Sequence, residues 1–144
     1  MELITSVIEK HEKYTFLFSK LKKAMDNDFY LEAIFIEYAI LEDRIFSMMC
    51  LCGNYDIEKY KDLSTKVSEL FALSKQPTRR MSEYIPESLI TALRAWMTLR
   101  NRLIHAFAKI RCTNEEVKQV AIEGLSLAKR VSNISTAYKR LKNS

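Results

Sequence analysis

Residue types that suit acid–base chemistry occur together in one short segment. The segment "LRNRLIHAFAKIR", residues 99–111, contains Arg100, Asn101 and His105, one of only two histidines in the chain. An imidazole titrates near neutral pH and can give or take a proton, while a guanidinium stays charged and binds oxyanions through two parallel hydrogen bonds. The same residue types also form structural polar clusters. Which interpretation holds depends on the elements that position them.

The segment belongs to a predicted amphipathic helix whose apolar face contains an arginine. At 3.6 residues per turn, apolar side chains recur on one face of this helix. That face consists of Leu89, Leu93, Trp96, Leu103, Phe107 and Ile110, and it is widened by Ile90, Met97 and Ile104. Arg100 falls in the middle of the face, whereas Asn101 and His105 lie at its margin. Because a buried charge is costly unless it is paired, we expect a partner for Arg100.

The second predicted helix supplies a candidate partner. Its apolar face consists of Leu31, Ile34, Tyr38, Leu41, Ile45, Met48 and Met49. Glu42 falls within this face, and Glu37 sits on its opposite margin. A buried ion pair between Arg100 and Glu42 would neutralise both charges. On these residues alone, one interpretation is a structural salt bridge between two core helices, with His105 on the surface.

The composition predicts an all-α protein. Two glycines and two prolines in 144 residues provide few turns for a β protein, and strong helix formers dominate every long segment. Breaker residues leave five helical stretches, at about 3–26, 29–51, 57–74, 87–111 and 114–141. Asp28 is a candidate cap for the second stretch, Pro86 suits the start of the fourth, and Thr113 with Glu116 forms a capping box for the fifth. Short connections favour an up-and-down bundle of four to five helices.

Length and composition place few other constraints on the chain. With 48% hydrophobic and 28% charged residues, residues 1–144 are expected to form one helical-bundle domain. The net charge of +5 is compatible with a polyanionic partner and equally with a solvated basic surface. An odd set of three cysteines and a polar beginning, "MELITSVIEKHEK", predict a reduced, cytoplasmic protein without a membrane span. The cysteines lack ligand spacing with either histidine, so we expect no metal site.

The polar residues resemble the signature of a known family. "RNRLIH" places Arg100, Asn101 and His105 late in a small five-segment α-bundle, and this arrangement resembles the HEPN family, whose members carry Arg, four to six residues, then His. Many of these domains also carry an acidic residue on the second helix, where this chain has Glu42 in "AILEDRI". The similarity in helix order covers nearly the whole chain.

The resemblance implies metal-independent RNA cleavage without a cofactor. His105 would act as the general base or acid, Arg100 would bind the phosphate oxygens, and Asn101 would orient the imidazole or donate to the phosphate. Glu42 would complete the catalytic set. The expected products carry a 2′,3′-cyclic phosphate and a 5′-hydroxyl. The family further suggests the toxin of a toxin–antitoxin or phage-defence system, with an antitoxin or a nucleotidyltransferase as partner.

The spacing of the motif has a consequence for assembly. Arg100 and His105 are five residues apart, or about 140° around a helix, so they do not share a face. Members of the family commonly dimerise so that two motifs converge on one cleft, and this chain is expected to form such a homodimer. Apolar residues near His105 could line the symmetric contact, namely Ile90, Met97, Ile104 and Ala108.

Further basic residues are candidates for binding the RNA backbone. Those on or near the same helix are Arg94, Arg102, Lys109 and Arg111, and those in the preceding loop are Arg79 and Arg80. A solvated basic face explains the same residues without RNA. The alternative to an RNA endonuclease is therefore a non-catalytic interaction module, in which Arg100 and Glu42 are structural and the bundle binds a partner protein.

Overall fold

The computed structural model describes residues 2–51, 62–75, 84–109 and 111–143. They form five α-helices in chain order: α1 (Glu2–Asp26), α2 (Tyr30–Leu51), α3 (Leu63–Ser74), α4 (Glu87–Ala108) and α5 (Asn114–Asn143). These ranges contain no β-strand, which confirms the prediction of an all-α bundle. Within the same ranges, no helix combines the length and the apolar character needed to cross a membrane.

Two helices are shorter than predicted. In α3 the described helix starts at Leu63, because Asp62 is its N-cap and accepts a hydrogen bond from the backbone N–H of Thr65 at 2.7 Å. Helix α4 ends at Ala108 rather than at residue 111. The backbone amides of Lys109 and Arg111 both donate to the carbonyl of Ala106, so the hydrogen bonds from residue i to residue i−4 do not continue. Ile110, predicted in the core, lies outside the described residues.

The predicted caps are confirmed in one case and wrong in another. The hydroxyl of Thr113 accepts a hydrogen bond from the amide of Glu116 at 3.2 Å, as expected for the start of α5. Asp28 instead terminates α1. It has a positive φ of 60°, and its amide and that of Phe29 donate to the carbonyls of Met25 and Ala24, which is the pattern of a Schellman C-cap.

One continuous core lies between the helices. The long helix α5 is the main neighbour of α2, α1 packs on α2, and α4 packs chiefly against α3 and α5. Trp96 of α4 is buried and its indole N–H donates to the carbonyl of Val120 in α5 at 2.9 Å. The predicted burial of Trp96 and Leu103 is confirmed, as is that of Ile34, Leu41 and Ile45.

The prediction that Phe107 belongs to the core is wrong. Its side chain is 53% exposed, and its neighbours Ile104, His105 and Ala108 are exposed as well. The last turn of α4 therefore extends beyond the packed part of the bundle. The sequence also predicts that the fourth helix packs against the apolar face of the second. This prediction is wrong, because α4 packs chiefly against α3 and α5.

Candidate functional site

The exposed face of α4 carries a row of polar side chains. Arg94, Thr98, Asn101 and His105 are exposed and separated by four, three and four residues, so they follow one another along the same side of the helix. Asn101 and His105 lie at the margin of the apolar stripe, as predicted. The periodicity of α4 thus brings an arginine, an amide and an imidazole to one surface.

Arg100 is half-buried and reaches this surface from the apolar side of α4. Its guanidinium lies over the ring of Tyr38 in α2, 4.0 Å from the ring centre. The Nη1 atom donates a hydrogen bond to Oδ1 of Asn101 at 3.1 Å. Its Nε atom is buried and has no hydrogen-bond partner among the described residues. The aromatic face and the amide oxygen thus hold the guanidinium at the margin of the helix.

The predicted ion pair between Arg100 and Glu42 does not form. Glu42 pairs with Lys66 of α3, with 3.1 Å between Nζ and Oε1. Lys66 is only 5% exposed, so the carboxylate of Glu42 balances a buried ammonium. The sequence contains a signal for this contact, since Lys66 lies on the apolar stripe of α3 with Leu63 and Leu70. The carboxylate of Glu42 therefore pairs with Lys66 rather than with Arg100.

A groove adjoins the polar face of α4. It has a volume of about 430 Å³ and is lined by Tyr38 of α2, Asp62 and Ser64 of α3, and Arg94, Met97, Thr98 and Asn101 of α4. Among the described residues of this lining, Asp62 is the one carboxylate, and its hydrogen bond from the Thr65 backbone lowers its pKa below the ordinary value. His105 lies one helical turn beyond Asn101 on the same helix and is not part of this lining.

Of the other predicted RNA-binding residues, those that the structure describes, except Arg94, do not line this groove. Arg102 and Arg111 line a second depression, about 580 Å³ in volume, between α4 and α5. Its lining includes Leu99, Leu103, Ala106 and Val120, together with Glu115, Glu116 and Glu123. Three carboxylates beside two arginines make it a poor surface for a polyanion. Lys109 is the exposed C-cap of α4, and Arg79 and Arg80 lie outside the described residues.

The residues predicted to line a dimer contact divide into two groups. Ile90 and Met97 are buried within the chain itself, at 2% and 9% exposure, so they are not available to a second copy. Ile104 and Ala108 are exposed. The apolar surface that remains near His105 is therefore the last turn of α4, which also presents Phe107.

A buried carboxyl group that the sequence analysis placed at a helix margin lies in the core. Glu37 has no exposed surface, and neither of its side-chain oxygens has a hydrogen-bond partner in the described part of the chain. Burial raises its pKa to about 9. Gly124 of α5 faces it, because a Cβ there would overlap Oε1 of Glu37 and lie 2.8 Å from Cζ2 of Trp96. A glycine within a long helix is the sequence signal for such a close approach.

No three side chains of His, Cys, Asp or Glu converge as metal ligands within the described ranges. Comparison with models of protein families, with curated proteins and with solved structures finds no match to this chain.

Proposed function

We propose that this chain is a metal-independent RNA endonuclease of the HEPN type that acts as a homodimer. The observation that carries the proposal is the hydrogen bond from Arg100 to Asn101 on an exposed helix face, with His105 one turn further along. In the cleavage of a phosphodiester by its own 2′-hydroxyl, an imidazole can transfer a proton, a guanidinium can stabilise the phosphorane, and the Asn101 amide can orient the imidazole or donate to the phosphate.

The proposed reaction assigns one role to each group. An RNA strand lies along α4 with its backbone in the groove beside Arg94. His105 takes the 2′-hydroxyl proton or protonates the 5′-oxygen, while the 2′-oxygen bonds to phosphorus and the bond from phosphorus to the 5′-oxygen breaks. Arg100 stabilises the charge on the phosphorane oxygens. The products are a 2′,3′-cyclic phosphate and a 5′-hydroxyl.

The reaction needs a second proton-transfer group, and a second copy of the chain would supply it. One chain offers a single imidazole on this face, whereas a twofold contact brings two motifs to one cleft. The exposed apolar side chains of the last α4 turn, Ile104 and Phe107, are suited to that contact. A monomer at micromolar concentration in light scattering would contradict this assembly.

The biological setting proposed for the enzyme is the cytoplasm, as the toxin of a toxin–antitoxin or phage-defence system. An uncontrolled ribonuclease harms its own cell, so its activity requires an inhibitor. An antitoxin protein or a nucleotidyltransferase is the proposed partner. Co-expression with the product of the adjacent gene, followed by growth measurement, tests this role: a companion that does not relieve toxicity contradicts it.

A second candidate function is binding of a partner protein without catalysis. The depression between α4 and α5 favours it, because its lining combines the exposed Leu99 with charged side chains at the rim. Such a surface is typical of a protein interface. Under this alternative the stacking of Arg100 on Tyr38 is structural and His105 has no role.

The experiment that separates the two functions is an RNA cleavage assay. Purified protein is incubated with labelled single-stranded RNA in EDTA, as wild type and as His105→Ala. Because His105 is exposed, the variant is expected to keep its melting temperature while cleavage falls by about 10²–10⁴-fold. Lys22→Ala, an exposed change on α1 away from both grooves, serves as the matched control. Equal cleavage by wild type and His105→Ala would contradict the ribonuclease proposal.

A further inference from the structure

A third groove lies on a different side of the bundle from the polar face of α4. It has a volume of about 460 Å³, and its lining comes from α1, α2 and α5: His11, Tyr14, Thr15, Phe18, Arg44, Lys129, Ser132, Asn133 and Thr136. No residue of α4 contributes to it, so it is separate from the candidate ribonuclease site. Its volume is in the range of small-molecule sites.

Arg44 forms the inner part of this groove. It is half-buried, its guanidinium lies 3.4 Å from the centre of the Tyr14 ring, and its Nε atom is buried without a hydrogen-bond partner in the described ranges. The neighbouring carboxylate, Asp43, accepts a hydrogen bond from the Tyr14 hydroxyl and forms an ion pair with Lys13 at 3.3 Å. Arg44 is therefore fixed by stacking, and the charge of Asp43 is already balanced by Lys13.

The donors along the groove come mainly from α5. The hydroxyls of Thr15 and Thr136 already donate to backbone carbonyls of their own helices, both at 3.0 Å. By contrast, the Oγ atom of Ser132 is buried without a hydrogen-bond partner in the described ranges. Lys129 is exposed at the rim. An ammonium, a guanidinium and an unpaired hydroxyl thus face one space.

We propose that this groove binds the phosphate group of a small phosphomonoester of the nucleotide class. Among the described residues that line it there is no carboxylate, and the stacked Arg44 and the exposed Lys129 supply two positive charges that match a dianionic phosphate. A phosphodiester in a nucleic-acid backbone carries a single charge and matches this pair less well. The half-buried side chain of Phe18 supplies an apolar contact for the organic part of the ligand.

The test is calorimetric titration of the full chain with inorganic phosphate and with adenosine 5′-monophosphate at constant ionic strength. We expect both to bind, the nucleotide more tightly because of its additional contacts. Lys129→Gln is expected to weaken nucleotide binding about tenfold or more, since it removes a charge-assisted hydrogen bond. Ser132→Ala should weaken it several-fold. Arg130→Gln, an equal change of charge at an exposed position of the same helix outside the groove, is the matched control.

Three outcomes would overturn the proposal. The first is that neither phosphate nor adenosine 5′-monophosphate binds. The second is that Lys129→Gln and Arg130→Gln weaken nucleotide binding equally. The third is that the nucleotide binds no more tightly than inorganic phosphate. A single-stranded oligonucleotide without a terminal phosphate is titrated in the same way. If Lys129→Gln weakened its binding as much as that of the nucleotide, the groove would be a backbone site and the proposal would be wrong. His105 does not line this groove, so His105→Ala should not alter nucleotide binding. The nucleotide titrations therefore test this proposal independently of the RNA cleavage assay.

Discussion

The guanidinium of Arg100 lies over the ring of Tyr38, 4.0 Å from its centre, and donates to Asn101. This contact replaces the ion pair with Glu42 that the sequence favours. An aromatic ring attracts a cation without neutralising its charge. Arg100 is consequently held in a fixed direction while it keeps a full positive charge for an anionic ligand.

Loss of the Arg100 side chain should reduce stability modestly. We expect Arg100→Ala to lower the free energy of unfolding by about 1–2 kcal/mol, because only the stacking on Tyr38 and an exposed hydrogen bond are lost. Urea unfolding of Arg100→Ala, Tyr38→Leu and the double variant measures the coupling, expected to be about 0.5–1 kcal/mol. Tyr38→Phe keeps the ring and serves as control. Strictly additive single effects would contradict a direct contact.

The pair of Lys66 with Glu42 should respond asymmetrically to substitution. Glu42→Gln leaves the buried ammonium of Lys66 without its counter-charge and is expected to cost about 2–4 kcal/mol. Lys66→Met replaces the ammonium by an apolar chain of similar length and leaves Glu42, whose side chain is 35% exposed, in contact with water. It should change stability by less than about 1 kcal/mol. Thermal melts of the two variants distinguish this arrangement from an exposed pair, for which both changes would be small.

The fold could be predicted from the sequence because its signals are local. Scarce glycine and proline, apolar residues at helical spacing and the Thr113 capping box identify the helices directly. The partners of each helix were harder to predict. Helix α2 has α1, α3 and α5 as neighbours, so it is buried around much of its circumference and its apolar stripe does not identify one inner face. The sequence places Glu37 at a margin of the apolar face of α2, but its side chain is buried. It places Glu42 within that face, but its side chain is half-buried.

The candidate site could be predicted only in part for the same reason. Asn101 and His105 lie on one exposed face because their spacing of four is a property of the helix itself. The contact of Arg100 with Tyr38 depends instead on how α2 and α4 cross, which periodicity does not encode. The position of Lys66 on the apolar stripe of α3 indicates burial, but the sequence does not show which carboxylate lies opposite to it.

Gly124 is a position where the usual preference of helices for alanine should be reversed. Alanine is favoured over glycine by about 1 kcal/mol in a helix, but a Cβ here would overlap the Glu37 carboxyl group and lie 2.8 Å from the Trp96 ring. We expect Gly124→Ala to destabilise the protein by about 1–3 kcal/mol. Ser126→Ala, at an exposed position of the same helix, should change stability by less than about 0.5 kcal/mol. A higher melting temperature for Gly124→Ala would contradict the close contact between α2 and α5.

Glu37 should make stability fall as the pH rises above about 5. Burial raises the pKa of Glu37 to about 9 in the folded chain, from an ordinary value of 4.5. Between these values the folded state binds a proton that the unfolded state lacks, so unfolding becomes easier with increasing pH, by up to about 1.4 kcal/mol per unit. The effect is complete above about pH 9.

Substitution of Glu37 by glutamine isolates this contribution. Glu37→Gln keeps the shape of the protonated side chain and cannot ionise, so its free energy of unfolding should exceed that of the wild type by about 3 kcal/mol at pH 7 and by less than about 1 kcal/mol at pH 5. The measurement is urea unfolding of both proteins between pH 5 and pH 9. Every other ionisable group is present in both proteins, so its contribution cancels when the two free energies of unfolding are subtracted at each pH. Glu32→Gln, at an exposed position of the same helix, should give a difference that does not change with pH. A parallel pair of curves for wild type and Glu37→Gln would mean that Glu37 ionises normally and that water reaches its carboxyl group.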